Sequence, residues 1–419
     1  MNAWERRLAD LAHLLGTCAQ TYFEPDLFRM NVNQFLQTSR TVTFIIQKNK
    51  AQIPGFDPWY AANVEAPWRA DTLMTWAKDS RNKIEKQGDL ELHSTLRTTL
   101  LFSYLREEDI FIECGRAEVA DANVKRLVRI AQKKLPTGVA DAAAVKIERR
   151  WVTASLPEWE LLHALTCVYS NAYAACAKLA EHLGTAIDPA VPPGRRFSQT
   201  REVARQVRYV KLRELRTVRL AFETTPGDDD FVPPKEFLSV IEDARDRGSI
   251  GKSLLEAVQH YATLAKISFE HFGSHVPIAF VFDSNWLLLD MLSANFEDQT
   301  DKYIFWRAVA ERISTLNAYG MIWIAESWER QMKGYEDLPA RKMPIVGERL
   351  HVVGFDKSGA IEQIAWSIKR QTPEAQPTLV ADAARDKLDQ QSMPFFFVPS
   401  MRALGLAGPR VALKPSNAA

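Results

Sequence analysis

Apolar residues recur at three- and four-residue steps from the start of the chain. Trp4, Leu8, Leu11 and Leu15 mark one face of a helix over 2–19, and Val32, Phe35, Leu36, Val42 and Ile46 mark another over 31–50. The β-branched residues of the second stretch allow a strand, but its length decides for helix. Pro54, Gly55 and Pro58 then interrupt the pattern. A third helix is expected from Pro67 to Gln87, because Leu73, Trp76, Ala77, Ser80 and Ile84 fall within about 100° of one another on a helical wheel. Gly88 stands where a C-terminal cap belongs, and Lys83 and Lys86 suit the negative end of the helix dipole.

Beyond Gly88 the pattern shifts toward strand. "TLRTTLLFSYL" and "DIFIECG" predict two strands joined by the charged turn "REED" (106–109), and 144–153 predicts another. Helices are expected over 118–134 and, opening at Pro157, over 157–184. "DPAVPPGRR" (188–196) and "TTPGDDDFVPP" (224–234) are linker candidates. Helices follow at 235–246 and 252–272, then short apolar runs at 276–283 and 285–292. A helix from 301 to 320 is expected to open on Asp301 as N-cap and close on Gly320. "MIWIAESW", "RLHVVGF" and "AIEQIAWSI" predict three strands, the last two a hairpin across "DKSG". A short helix over 378–390 and an apolar "FFFVP" that docks on the body complete the pattern.

This order predicts an α+β protein. A helical N-terminal domain with a small inserted sheet spans 1–187, and a linker with a basic helix spans 188–234. A mixed C-terminal domain with a largely antiparallel sheet spans 235–419.

Composition narrows the function classes. The 419 residues are 46% hydrophobic and 25% charged, as in ordinary globular proteins, and the net charge of +1 excludes a global field that would draw in nucleic acid or membranes. No stretch is apolar enough to span a bilayer, and the N-terminus lacks the pattern of a secretory signal, so a cytoplasmic protein without membrane partners is expected. Cys18, Cys114, Cys167 and Cys176 form no CxxC pair or zinc-site spacing, and Cys167 and Cys176 read as buried thiols. No phosphate loop, nucleophile elbow or metal-ligand pattern stands out, and neither cofactor nor metal is expected.

Charge is local. From 195 to 219 there are nine Lys or Arg against two Glu. Read as a helix over 201–220, Arg201, Arg205, Arg208, Arg216 and Arg219 fall within about 80° of one another, with Val203, Val207, Val210 and Val218 opposite. Such a stripe suits a phosphate backbone, an acidic protein partner, or docking on acidic runs of the chain itself.

The remaining candidate is "WAKDSRNKIEKQGDLE" (76–91), whose helix end carries Arg81 and Asn82. An Arg-polar pair on such a helix end resembles the HEPN superfamily of helical domains, whose active members add a histidine a few residues on and cut RNA across a dimer interface. The resemblance covers the first 185 residues and implies a dimer and a setting in stress or defence. Here Glu85, Lys86 and Gln87 occupy the histidine's positions, and Gln87 cannot move a proton. The expected function is therefore an interaction protein that binds RNA or a protein partner through Arg81, Asn82 and the arginine stripe. The alternatives are a metal-independent ribonuclease with an altered site, using Arg81, Asn82 and Gln87, and an assembly protein with no nucleic-acid role. Weaker candidates are His271 and His275 in "EHFGSH", and Glu326 and Trp328 at a strand end.

Overall fold

The computed structural model describes residues 1–105, 111–114, 120–194, 206–218, 233–246, 250–335, 342–370, 376–381 and 388–409. The chain forms two compact units. One comprises Met1–Leu100, Ile110–Lys134 and Val145–Val210, the other Leu101–Asp109, Leu135–Ala144 and Lys211–Ala419. The fold is α+β, with helices leading and antiparallel strand pairing in the C-terminal part.

The N-terminal helices follow the apolar periodicity. Helices α1 (Ala3–Gln20) and α2 (Pro25–Lys48) lead to short turns α3 (Phe56–Tyr60) and α4 (Ala66–Ala70), then to α5 (Thr72–Gln87). The expected single helix over 67–87 is broken at Asp71. Its carboxylate accepts from the amides of Leu73 at 2.8 Å and Met74 at 2.9 Å, which starts α5 anew. Strands β1 (Leu92–Leu101) and β2 (Phe111–Cys114), helices α6 (Ala120–Lys134) and α7 (Thr137–Ala140), strand β3 (Ala144–Thr153) and helix α8 (Leu161–His182) follow. Helix α8 opens at Leu161 rather than Pro157, because the buried Glu160 carboxylate caps the amides of Leu162 and His163. Leu8, Leu11, Phe28, Phe35, Leu36, Leu165 and Val168 are fully buried in one core, where such a side chain contributes about 1.5–3 kcal/mol. Tyr22 ties β3 to α8 within it. Its hydroxyl lies 2.8 Å from Glu160, accepts from the Trp151 amide at 3.2 Å and lies 3.1 Å from the Arg149 carbonyl oxygen. Cys18 and Cys176 are buried and Cys167 half-buried; burial pushes the thiols up to about 12, 12 and 11.

The segment expected as a basic helix over 201–220 is the main correction. Its described part forms strands β4 (Gln206–Lys211) and β5 (Arg216–Val218) in a sheet of order β2-β1-β3-β4-β5. "QVRYVK" is rich in β-branched and aromatic residues, and pairing beside β3 overrides a helical reading of its charges.

Helices α9 (Lys235–Asp246) and α10 (Leu254–Phe272), strands β6 (Ile278–Phe282) and β7 (Leu288–Ser293) and helix α11 (Gln299–Thr315) follow, then β8 (Gly320–Arg330), β9 (Ile345–Asp356), β10 (Ile361–Lys369), β11 (Thr378–Ala381) and the short α12 (Val398–Ala403). The six strands lie in the order β11-β10-β9-β8-β6-β7. Ile322, Ile324, Leu350 and Val352 pack on Val258, Tyr261 and Phe269 of α10. On the other face Met321, Trp323, Val353 and Phe355 meet Phe305, Trp306 and Val309 of α11, with Phe397 and Met401 from the tail. A Cβ at Gly354 would come within 2.6 Å of Val258, so glycine lets α10 approach the sheet closely. Helix α11 opens on Asp298 rather than Asp301, since the Asp298 side chain accepts from the Asp301 amide at 3.0 Å. The expected helix over 378–390 is also corrected: Thr378–Ala381 pairs with β10, and 382–387 lie outside the described residues.

Candidate functional site

Arg81 is half-buried on α5, and its polar contacts are to its own helix. One guanidinium nitrogen is 2.6 Å from Glu85 and another donates to the Asn82 side-chain oxygen at 3.2 Å. Gln87 is the exposed last residue of α5; six positions on, it projects from a different side of the helix. The structure thus brings Arg81 and Asn82 together and leaves Gln87 apart. It also brings in two residues that sequence reasoning missed. Arg40 and Phe44 of α2 meet Arg81, with the guanidinium carbons of Arg40 and Arg81 5.0 and 5.7 Å from the Phe44 ring centroid. The only sequence signal was an Arg and a Phe four apart on a helix.

The arginine stripe is not formed as expected. Arg201, Arg205 and Arg219 lie outside the described residues. Arg208 stacks over Phe23 at 5.9 Å, and Arg216 pairs with Glu297 at 2.6 Å and Glu214 at 3.5 Å. Beside Arg216, Lys211 is buried with its ammonium 2.7 Å from Asp301 and 3.0 Å from Asp298. In place of a stripe, Arg208, Lys211 and Arg216 are spread over two strands and held by ring or carboxylate partners.

Helix α10 ends at Phe272, with Gly273 in the left-handed conformation, so His271 and His275 do not share a helix face. The His275 amide donates to Glu326 at 2.5 Å. Burial raises the Glu326 carboxyl above its ordinary value and lowers the His275 imidazole below its own. Glu326 is a structural anchor for the turn leaving α10.

Past Glu326 the sheet changes character. Strand β6 accompanies β8 only as far as Ile324, whereas β8 and β9 stay paired to Arg330 and Ile345. This distal hairpin exposes large apolar side chains: Trp328 is 62% exposed, Met332 66%, Tyr335 38%, Ile345 51% and Val346 61%. Three contacts stiffen it. Arg330 stacks over Trp328 at 5.6 Å and donates to the Met343 carbonyl oxygen at 2.7 Å, and Arg349 pairs with Glu329 at 2.8 Å. Lys333 and Lys342 flank the patch, exposed and without a carboxylate partner among the described residues. This surface is set apart by its side-chain types. It holds aromatic, methionine and arginine side chains in water, the types enriched in the centres of protein interfaces. Sequence reasoning singled out Trp328 beside Glu326 and missed the rest, since the strand it expected there opened only at Arg349.

A family model described as bacteriophage lambda protein ea47 matches residues 1–224 and 241–405. The chain belongs to the Ea47 family. Protein ea47 of Escherichia phage lambda is 43% identical to it over 404 residues, spanning 96% of this chain and 97% of that protein. No solved structure matches the chain. These findings overturn the HEPN resemblance, since the Ea47 match takes in the whole region, Arg81 and Asn82 included, on which it rested. The physical reason for the misreading is plain: Arg81 is one half of an ordinary i,i+4 ion pair with Glu85, a pattern common to many polar helix ends. The β8–β9 hairpin lies within the second matched segment of the Ea47 family.

Among the described residues no helix is long and apolar enough to cross a membrane.

Proposed function

We propose that this member of the Ea47 family is a cytoplasmic interaction protein that recognises a protein partner with its distal β8–β9 hairpin. One observation carries the reading: Trp328, Met332, Tyr335, Ile345 and Val346 are all exposed on one hairpin. Large apolar side chains exposed together on one hairpin, beside charged ones, favour an interaction surface over idle surface. The stacking of Arg330 on Trp328 pre-orders the central side chain, which lowers the entropy cost of binding. A protein partner is favoured over RNA because Arg208 and Arg216, the described arginines of the expected stripe, are engaged within the fold.

The test compares the wild type with Trp328→Ala against a partner recovered from bacterial extract on the immobilised full chain. Trp328 is exposed, so the substitution changes stability by about 0.5 kcal/mol or less. As a central interface residue it is expected to contribute about 2 kcal/mol to binding, and its loss to weaken affinity about 30-fold. Binding is expected to survive ribonuclease treatment. Equal affinity of wild type and Trp328→Ala, or binding abolished by ribonuclease, contradicts the proposal.

A further inference from the structure

Helix α2 carries a second exposed surface, on the helical unit and independent of the hairpin. One side of the helix is core, where Phe28, Phe35 and Leu36 are buried. Its outer side leaves the large apolar side chains of Leu27, Met30 and Phe44 exposed. From Leu27 to Lys48 this outer face repeats in alternating three- and four-residue steps, through Met30, Gln34, Gln37 and Phe44. At 100° per residue these positions and Asp26 fall within about 100° of one another. That is the spacing of a helix–helix seam. Asp26 and Lys48 stand at opposite ends of the face. Both are exposed, and among the described residues neither has an ion-pair partner.

We propose that α2 is the seam of a homodimer, in which two copies of the helix lie antiparallel about a twofold axis at Gln37. Asp26 and Lys48 are each eleven residues from Gln37, and Met30 and Phe44 are each seven. In this register Asp26 therefore faces Lys48 of the partner subunit, and Met30 faces Phe44 of the partner subunit. One register matches the apolar residues and the free charges together, and the symmetry makes each match twice. Gln37 meets its own copy on the axis, where a carboxamide both donates and accepts. A different protein would have to carry the complementary arrangement, whereas a second copy has it by symmetry. The face is about 33 Å long on a single helix. It falls at the small end of specific interfaces, below about 1,200 Å² in total, so a dissociation constant in the micromolar range is expected.

Sedimentation equilibrium of the full chain tests this at low salt, over about 1–100 μM, the range that brackets a micromolar constant. The wild type is expected to pass from monomer to dimer across it. Met30→Glu sets a carboxylate against Phe44 of the partner subunit and is expected to weaken association by about 10-fold or more. Asp26→Lys and Lys48→Asp each place like charges at both ends of the seam, and each is expected to weaken it by about 10-fold. The double variant Asp26→Lys/Lys48→Asp restores both cross-subunit pairs and is expected to recover association. Within its own helix the double variant opposes the dipole at both ends, so a stabilised monomer helix cannot account for the recovery. Unchanged circular dichroism and thermal melting show that each variant is folded. The inference is overturned if the wild type stays monomeric at about 100 μM. It is also overturned if association is indifferent to Met30→Glu in a folded variant, or if the double variant associates no better than either single one.

Discussion

Replacing Lys211 with methionine is expected to lower stability by about 3–5 kcal/mol, the cost of leaving the mostly buried Asp301 carboxylate without its partner. Only 3% of the Lys211 side chain is exposed, and its ammonium lies 2.7 Å from Asp301, 3.0 Å from Asp298 and 3.7 Å from Glu297. Without it, three carboxylates face one another at the start of α11. The helix dipole favours negative charge there by only about 0.3–1 kcal/mol, too little to offset the loss.

The pH dependence has a definite sign. Burial disfavours the Lys211 charge, but the hydrogen bonds of Asp301 and Asp298 outweigh it and hold the ammonium above its ordinary value. Burial likewise opposes the Asp298 charge, but the Asp301 amide and the Lys211 ammonium outweigh it and hold the carboxyl below its ordinary 3.8. The Asp298 contribution is therefore complete above pH 3.8 and lost as pH falls through the lower folded-state value. The Lys211 contribution is complete below 10.5 and lost as pH rises through the higher folded-state value. Urea unfolding of wild type and variant is expected to differ fully at pH 7 and progressively less as pH falls below 3.8. A difference below about 1 kcal/mol at pH 7, the scale of a surface pair, contradicts a buried role for Lys211.

Phe397→Ala is expected to cost a similar amount, about 3–5 kcal/mol. Phe397 is fully buried, its ring 5.0 Å from Trp306, 5.4 Å from Phe355 and 4.4 Å from Phe396. It inserts the tail between α11 and β9, so its removal leaves a cavity lined by aromatic side chains. Hydrogen exchange distinguishes this from a general softening. The amides of 397–406 are expected to lose protection first, while α10 on the opposite face of the sheet keeps its own. Full protection of the tail in the variant would show that Phe397 does not hold it.

The fold was legible where one physical rule acted alone. The three- and four-residue steps of Leu8 and Leu11, and of Val32, Phe35 and Leu36, became buried helix faces because no competing partner was available to them. "DKSG" became the turn between β9 and β10, with Gly359 at φ 87° supplying the left-handed backbone such a turn requires. Where two rules competed, the sequence was ambiguous. Arg208 and Arg216 fit a helical wheel, yet Val207 and Tyr209 fit a strand, and only β3 alongside decided between them. The candidate sites were less legible still. Arg40 and Phe44 stand about forty residues before Arg81, and nothing but the packing of α2 on α5 places them together. Ile345 and Val346 carry the composition of core residues. Both stand at the start of β9, before its pairing with β10 begins at Glu348, a fact of sheet geometry that no local pattern encodes.

The most direct test of the partner-binding account is a photo-reactive side chain introduced at Met332 in the full chain and activated in living bacterial cells. The account predicts one dominant protein adduct, lost when Trp328→Ala is added to the same chain. Adducts to nucleic acid alone, no adduct at all, or a protein adduct indifferent to Trp328→Ala would contradict it.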